Sequence, residues 1–414
     1  MQFRSASLYE YVGIVPFPHV QQRGSFLKKY FATTVCSFLT LFSLMFFTWG
    51  GTAFAASTAS AAPARVTYKH VCSTAPRGYA HCLALIAVKA GSNAALSFSP
   101  FANSPGGGPP YAPANFHNAY NLPTNASGTP TVAIVDAYND PRLASDLAVY
   151  RSQWGLPACT KSNGCLRIVN QNGGSTLPSG NSGWGLEESL DVDMVSAICE
   201  NCHILLVEAS SPSNGNLGTA VNTAVRLGAV AVSNSYGENE FSSESSSCSS
   251  YYQHNNVAIT ASSGDSGPGV SYPAVCPYVA GIGGTTLNSN GSETAWVDAG
   301  GGCSAYISKP SWESSSVTGC SRRAVSDVSA DADPNTGAYV YDTYGYSGWY
   351  EVGGTSESSP IIASVYALAG NVSGTTYPAS LPWLSYNSGC LFEVGGVRYA
   401  YQSGLGSPNG TGCF

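Results

Sequence analysis

The segment Gly353-Gly354-Thr355-Ser356 runs into Glu357-Ser358-Ser359-Pro360 and then an apolar stretch that ends at Ala369. Glycines ahead of a hydroxyl residue, with a helical apolar run behind it, describe a serine held at the start of a buried helix. Its Oγ is then available, and the free N–H groups of the first turn can hold an anion. Ser356 is therefore a candidate nucleophile, although small residues also cap helices with no chemical role. A nucleophile needs a base and a group that stabilises the oxyanion, and acidic residues are candidates for both. In Trp184-Gly185-Leu186-Glu187-Glu188-Ser189-Leu190-Asp191, Glu187 and Asp191 stand four apart and share one helix face. Two carboxyls stacked on a largely apolar helix cannot both ionise cheaply, so the pair titrates as a unit. Such a pair can take a hydroxyl proton in acid, where a histidine would already be charged. The same spacing also fits a solvated helix face or a charge cluster at a helix N-terminus. The third element is Ser262-Ser263-Gly264-Asp265-Ser266-Gly267. A protonated Asp265 in that turn could donate a hydrogen bond to a developing oxyanion; an Asx turn is the plainer reading.

The elements that must position these residues alternate in type. Thr131–Asp136, Ile204–Glu208, Ala229–Ser233, Val257–Ala261 and Tyr278–Ile282 read as apolar strands. Glu187–Ala197, Leu217–Leu227 and Ser356–Ala369 read as helices, the last stopped by Gly370-Asn371. Continuous apolar strands alternating with helices predict an α/β fold with a mostly parallel sheet covered on both faces. The Asp265 turn directly follows the Val257–Ala261 strand, at the carboxyl end where open α/β sheets gather their active groups.

Composition sets the compartment. Charged residues are 10% of the 414, against a usual value of about 25%. The net charge of −7, with 17 Lys+Arg, argues against nucleic acid or an anionic membrane as a partner. Few groups change charge on acidification, so an acidic habitat is tolerated. Arg23, Lys28 and Lys29 precede an uncharged apolar run, Tyr30 to Gly50, and Ala53-Phe54-Ala55 is a cleavage site in form. Residues 1–55 are thus expected to be an export signal, with a membrane anchor as the alternative if the segment is retained. Residues 56–110 are expected to be a short segment and linker. Of 13 cysteines, Cys36 falls in the signal, and the remaining even number suits an oxidising compartment. Spacing suggests the local pairs Cys72–Cys82, Cys159–Cys165, Cys199–Cys202, Cys248–Cys276, Cys303–Cys320 and Cys390–Cys413. Cys199-x-x-Cys202 also has the form of a redox or metal motif, but no second pair with metal-ligand spacing accompanies it.

In combination, Glu-x-x-x-Asp, Ser-Ser-Gly-Asp-Ser-Gly and Gly-Thr-Ser-x-x-x-Pro resemble the sedolisins, the serine-carboxyl peptidases related to subtilisin. The resemblance runs from Tyr111 to Phe414. It takes in Ser233-Asn234-Ser235-Tyr236-Gly237, similar to the strand that pairs with substrate backbone, and Arg323–Pro334. It implies a subtilisin-like three-layer fold for 111–414. It also implies Ser356 as nucleophile, Glu187 as general base, Asp191 as its partner and Asp265 as the oxyanion acid. Polypeptide substrates, secretion and acid activity follow from the same resemblance, and a monomer is expected. No cofactor is needed for the chemistry. A subtilisin proper needs a His-Gly-Thr-His setting, which this chain lacks. Asp136, at the end of its strand, is read as support for Glu187 or as a plain strand-end residue, outside the catalytic set. Two departures stand out. The family carries a long prodomain, whereas only 56–110 intervene here, which weighs against self-inhibition by a full prodomain. The family's C-terminal calcium loop is cut short at Leu391–Arg398, and its second Asp is absent, so calcium is not expected. The competing function is a catalytically silent binding module on the same scaffold.

Overall fold

A computed structural model describes residues 66–100, 107–375 and 377–414; the expected export signal lies outside them. The centre is a parallel sheet of seven strands, β1 (Thr131–Ala137), β2 (Leu166–Asn170), β3 (His203–Ala209), β4 (Ala231–Asn234), β5 (Ala258–Ser262), β6 (Ala280–Leu287) and β7 (Val328–Asp331). Their spatial order is β2-β3-β1-β4-β5-β6-β7, every pair parallel. Glu293–Ala295 adds an antiparallel piece to β6.

Successive side chains on a strand point to opposite faces, and both faces are covered here. On β1, Val132 and Ile134 join one apolar cluster, while Ala133, Val135 and Ala137 join the other. Helices α1 (Leu143–Gln153), α2 (Ser182–Ile198), α3 (Asn214–Arg226) and α4 (Thr355–Ala369) supply the outer layers. Leu186 and Leu190 of α2 and Ile361 and Val365 of α4 pack into the first cluster. Leu217, Val221 and Ala224 of α3 pack into the second. This is the expected subtilisin-like three-layer α/β arrangement.

Helix α2 begins before Glu187 because Asn181 caps it, accepting from the N–H groups of Gly183 (3.0 Å) and Trp184 (3.1 Å). Its residues from Trp184 to Ile198 are all buried, so the solvated-face reading of Glu187 and Asp191 does not hold. The six disulfides join the pairs that spacing suggests, Cys199–Cys202 included.

Two smaller sheets flank the carboxyl ends of the main strands. In one, Tyr236–Asn239 pairs with His81–Cys82 and with Ser271–Tyr272. In the other, Gly348–Gly353, the strand that leads into Ser356, pairs with Leu85–Lys89 and Ala338–Asp342. The N-terminal segment is thus woven into the body: Ala84, Ile86 and Ala87 are fully buried.

Candidate active site

Ser356 is the second residue of α4, and Pro360 lies inside the helix. Proline has no N–H, so the Ser356 carbonyl loses its usual partner four residues on. The hydroxyl of Ser235, just beyond the end of β4, takes that place at 3.2 Å. The same Ser235 Oγ lies 2.7 and 2.9 Å from the two carboxyl oxygens of Asp191. One hydroxyl proton cannot serve both neighbours. With Asp191 protonated, its proton goes to Ser235 Oγ and the Ser235 proton to the Ser356 carbonyl, and every group is satisfied.

Glu187, Asp191 and Ser356 are fully buried. Glu187 Oε2 accepts the Ala84 N–H at 2.8 Å, and its Oε1 has no hydrogen-bond partner among the described residues. The Ser356 hydroxyl donates to the Ser235 carbonyl at 3.3 Å. It also lies near enough to Glu187 to favour the ionised carboxylate. Rotating it from the weak carbonyl contact toward Oε1 would complete a nucleophile–base pair. Burial pushes the Glu187 carboxyl well above the ordinary range, and the neighbouring Asp136 adds to the rise. Asp191 is raised for the same reasons, with Glu187 contributing.

Asp136 therefore belongs to this cluster. It sits one residue from the end of β1, fully buried, and neither of its oxygens has a partner among the described residues. Burial lifts its pKa to about 8. Its coupling to Glu187 and Asp191 agrees with the sequence reading of a supporting carboxyl. Nothing local in the sequence separates that role from an idle strand-end Asp, because the neighbours lie on a helix about 50 residues later in the chain.

Asp265 approaches from the turn after β5. Thr355, the residue before Ser356, holds its Oδ1 with both its N–H (2.8 Å) and its hydroxyl (2.7 Å). Asp265 Oδ2 is left without a partner among the described residues. Burial raises this carboxyl to about 7, against the opposing pull of the Thr355 bonds. Below that pH Oδ2 can carry a proton and donate it. The turn lines a cleft of about 560 Å³ together with Leu83, Gly237, Glu238 and Phe241. Of the four residues singled out in the sequence, Asp265 lines this cleft; Ser356 stands behind it next to Thr355, with Glu187 and Asp191 in the buried cluster around it. Sequence reasoning missed Ser235 and Thr355 as the groups that connect them, although both stand inside the quoted motifs. His203, by contrast, begins β3 at the opposite end of the sheet.

The fold carrying this cluster has solved counterparts. No protein-family model matches the chain. Sedolisin from Pseudomonas sp. (strain 101) is 28% identical over 352 residues, 72% of this chain and 59% of that protein. Kumamolisin from Bacillus sp. (strain MN-32) is 28% identical over 297 residues, 62% and 51%. The solved structure of Pseudomonas sedolisin, described as a serine-carboxyl proteinase, matches with a TM-score of 0.60 at 28% identity, covering 72% of this chain and 95% of that one. The chain is thus similar to the sedolisins in both sequence and fold. It spans 51 to 59% of the length of these two sequence relatives, and the match with the solved sedolisin extends to nearly the whole of that chain.

Proposed function

We propose that this sedolisin-like chain is an exported serine-type endopeptidase that cleaves polypeptides in acid. The observation that carries the reading is the grouping of Ser356 with Glu187 and, through Thr355, with Asp265 at the start of α4, next to a cleft that Asp265 lines. In the reaction Ser356 Oγ attacks the scissile carbonyl carbon and passes its proton to Glu187. Asp191, bridged to the Ser356 backbone through Ser235, holds the position of the base and shares the proton load. Asp265 in its protonated form donates to the oxyanion, worth roughly 3–4 kcal/mol for a donor so placed. Collapse expels the amine, which leaves with the proton from Glu187, and water then hydrolyses the ester on Ser356. Six disulfides favour an extracellular setting.

The reading includes no calcium at the C-terminal loop. Glu393 there is exposed, Arg398 lies nearby in sequence with its guanidinium over the Tyr386 ring, and the segment 391–398 offers no second carboxylate. Calcium takes six or more oxygens, and this donor set does not fit it.

The test is hydrolysis of an unfolded protein from strongly acidic to neutral pH. Wild type should act in acid, and Ser356→Ala and Glu187→Gln should each lose turnover while folding normally. A folded wild type with no activity at any pH would move the reading to a binding module.

A further inference from the structure

Helix α4 starts against β7, and two hydrogen bonds fasten them. The Gly354 N–H donates to the carbonyl of Ala332, just past β7, at 2.6 Å. The Ser358 hydroxyl oxygen accepts the Ala330 N–H at 2.7 Å. Ser356 lies between Gly354 and Ser358, and so does Glu357; Asp331 lies between Ala330 and Ala332. Glu357 and Asp331 are both fully buried, and the reaction above uses neither.

Both oxygens of Glu357 and Oδ2 of Asp331 lack a partner among the described residues. Asp331 Oδ1 is occupied, accepting from the Thr336 hydroxyl at 2.8 Å and the Leu287 N–H at 3.2 Å. The nearby phenols have no proton to spare. Tyr111 donates to the Leu287 carbonyl at 2.7 Å, and Tyr120 donates to Glu293 Oε1 at 3.1 Å while accepting the Asp331 N–H. No cation answers either acid: the ion pairs among the described residues join Lys309 and Arg323 to Glu313 and Asp327. Burial pushes Glu357 well above the ordinary range, and the charges that add to the rise are all acidic: Asp331, Glu351 of the strand Gly348–Gly353, and Asp333. Burial raises Asp331 likewise, with Glu293 and Asp333 adding and the Thr336 and Leu287 bonds opposing. Three phenols, Tyr111, Tyr120 and Tyr150 of α1, also feel the charge of Glu357. A buried carboxylate with no donor and no cation is costly. A protonated carboxyl supplies the O–H donor that this space lacks, and its neighbour has the free lone pair to accept it.

We propose that Glu357 and Asp331 share a proton, forming a third link between α4 and β7 that positions Ser356 and sets the alkaline limit of the fold around it. Glu357 touches no reacting atom; it acts through the first turn of the helix that carries Ser356. While the pair holds at least one proton, each carboxyl has a partner. When the last proton leaves, two carboxylates meet in a space without donors, and the start of α4 is pushed off β7. The sign follows from linkage: a carboxyl whose proton is bound more tightly in the folded state supports the fold while protonated, and that support is lost as pH rises through the folded value. The effect on Ser356 as a nucleophile rests on the peptidase reading above, whereas the shared proton does not.

The test uses the full chain carrying Ser356→Ala, so that no step depends on hydrolysis. Hydrogen exchange of the Gly354 and Ala330 amides, corrected for the intrinsic effect of pH, is followed from acid to mildly alkaline conditions. Both amides should be protected in acid and should exchange about tenfold faster or more in alkali. Glu357→Gln supplies an amide N–H that can donate to Asp331 Oδ2 at any pH, so both amides should keep their acid-state protection throughout. Asp331→Asn makes the same link from the other side and should do likewise, which covers the failure of one variant to fold. A parent whose two amides are as protected in alkali as in acid overturns the proposal. So does an alkaline rise that either folded variant shares with the parent. Protection restored in the parent by added calcium chloride also overturns it, since the two acids would then be cation ligands. Hydrolysis of an unfolded protein by wild type is scored separately, so the peptidase reading and the shared proton can each fail alone.

Discussion

At the scale of single residues, the division of labour rests on which buried carboxyl holds a proton at which pH. Asp265 is raised to about 7, so its donor function should fail as pH climbs through that value, giving the basic limb of the activity profile. Asp265→Ala removes the donor and should cost about 100- to 1,000-fold in kcat. Asp265→Asn is a different case. Its amide oxygen can accept from Thr355, as Oδ1 does now, which aims the NH2 group at the oxyanion. That variant should keep more activity than Ala and lose the limb near 7, a comparison that pH–rate profiles of both would settle. Asp136 acts at one remove. Its own carboxyl titrates near 8, so in acid it is neutral and Asp136→Asn should leave the acidic limb where it is; only toward neutral pH, where its charge raises Glu187 and Asp191, should the variant depart from wild type. An acidic limb that moved down in the variant would mean that Asp136 is ionised in acid.

At the scale of elements, the entry into α4 decides the geometry. Gly354 caps the helix at φ 101°, a region that side-chain-bearing residues avoid, and a Cβ there would collide with Leu83 and Asp265. Gly354→Ala should therefore abolish peptidase activity, at a cost in thermal stability that calorimetry would show beside the assay. This element was legible in the sequence because its signals are local: glycines, a hydroxyl pair, a proline and an apolar run. The sheet was legible for the same reason, since runs such as Thr131–Asp136 carry their own pattern, and α2 was misplaced at its start only because Asn181 caps it early. The approach of Leu83 and Ala84 was not legible. It depends on His81–Cys82 pairing with Tyr236–Gly237 across some 150 residues, and nothing in either segment names the other. The same holds for Asp136, whose neighbours Glu187 and Asp191 come from a helix that follows one intervening strand.

At the scale of the whole molecule, a sequence poor in charge has put much of its acid inside. Beyond the active-site cluster, burial raises Asp140 to about 6 and Glu208, Glu244, Asp342 and Glu351 to about 8. Oxygens of Asp140, Asp146 and Asp342 lie within 4.8 Å of one another, and the Ser189 hydroxyl stands 3.5 and 3.2 Å from Asp140 and Asp342. The consequence for stability has a definite sign. Asp140, Glu208, Glu244, Asp342 and Glu351 each bind a proton more tightly folded than unfolded, so the folded state holds more protons between about pH 4, where unfolded carboxyls titrate, and the raised folded values of about 6 to 8. Stability is then greatest below that window and falls as pH rises through it. Three histidines oppose the trend: burial lowers His70, His81 and His254, which favours the unfolded state in acid. All three are only partly buried, and the raised carboxyls outnumber them, so the carboxyls dominate. Thermal unfolding of Ser356→Ala, which lacks the proposed nucleophile, should show Tm dropping by several degrees or more from pH 4 to pH 8. A Tm that held constant or rose over that interval would mean the interior acids are solvated or paired in solution, and the proposed action in acid would then rest on the carboxyls around Ser356 alone.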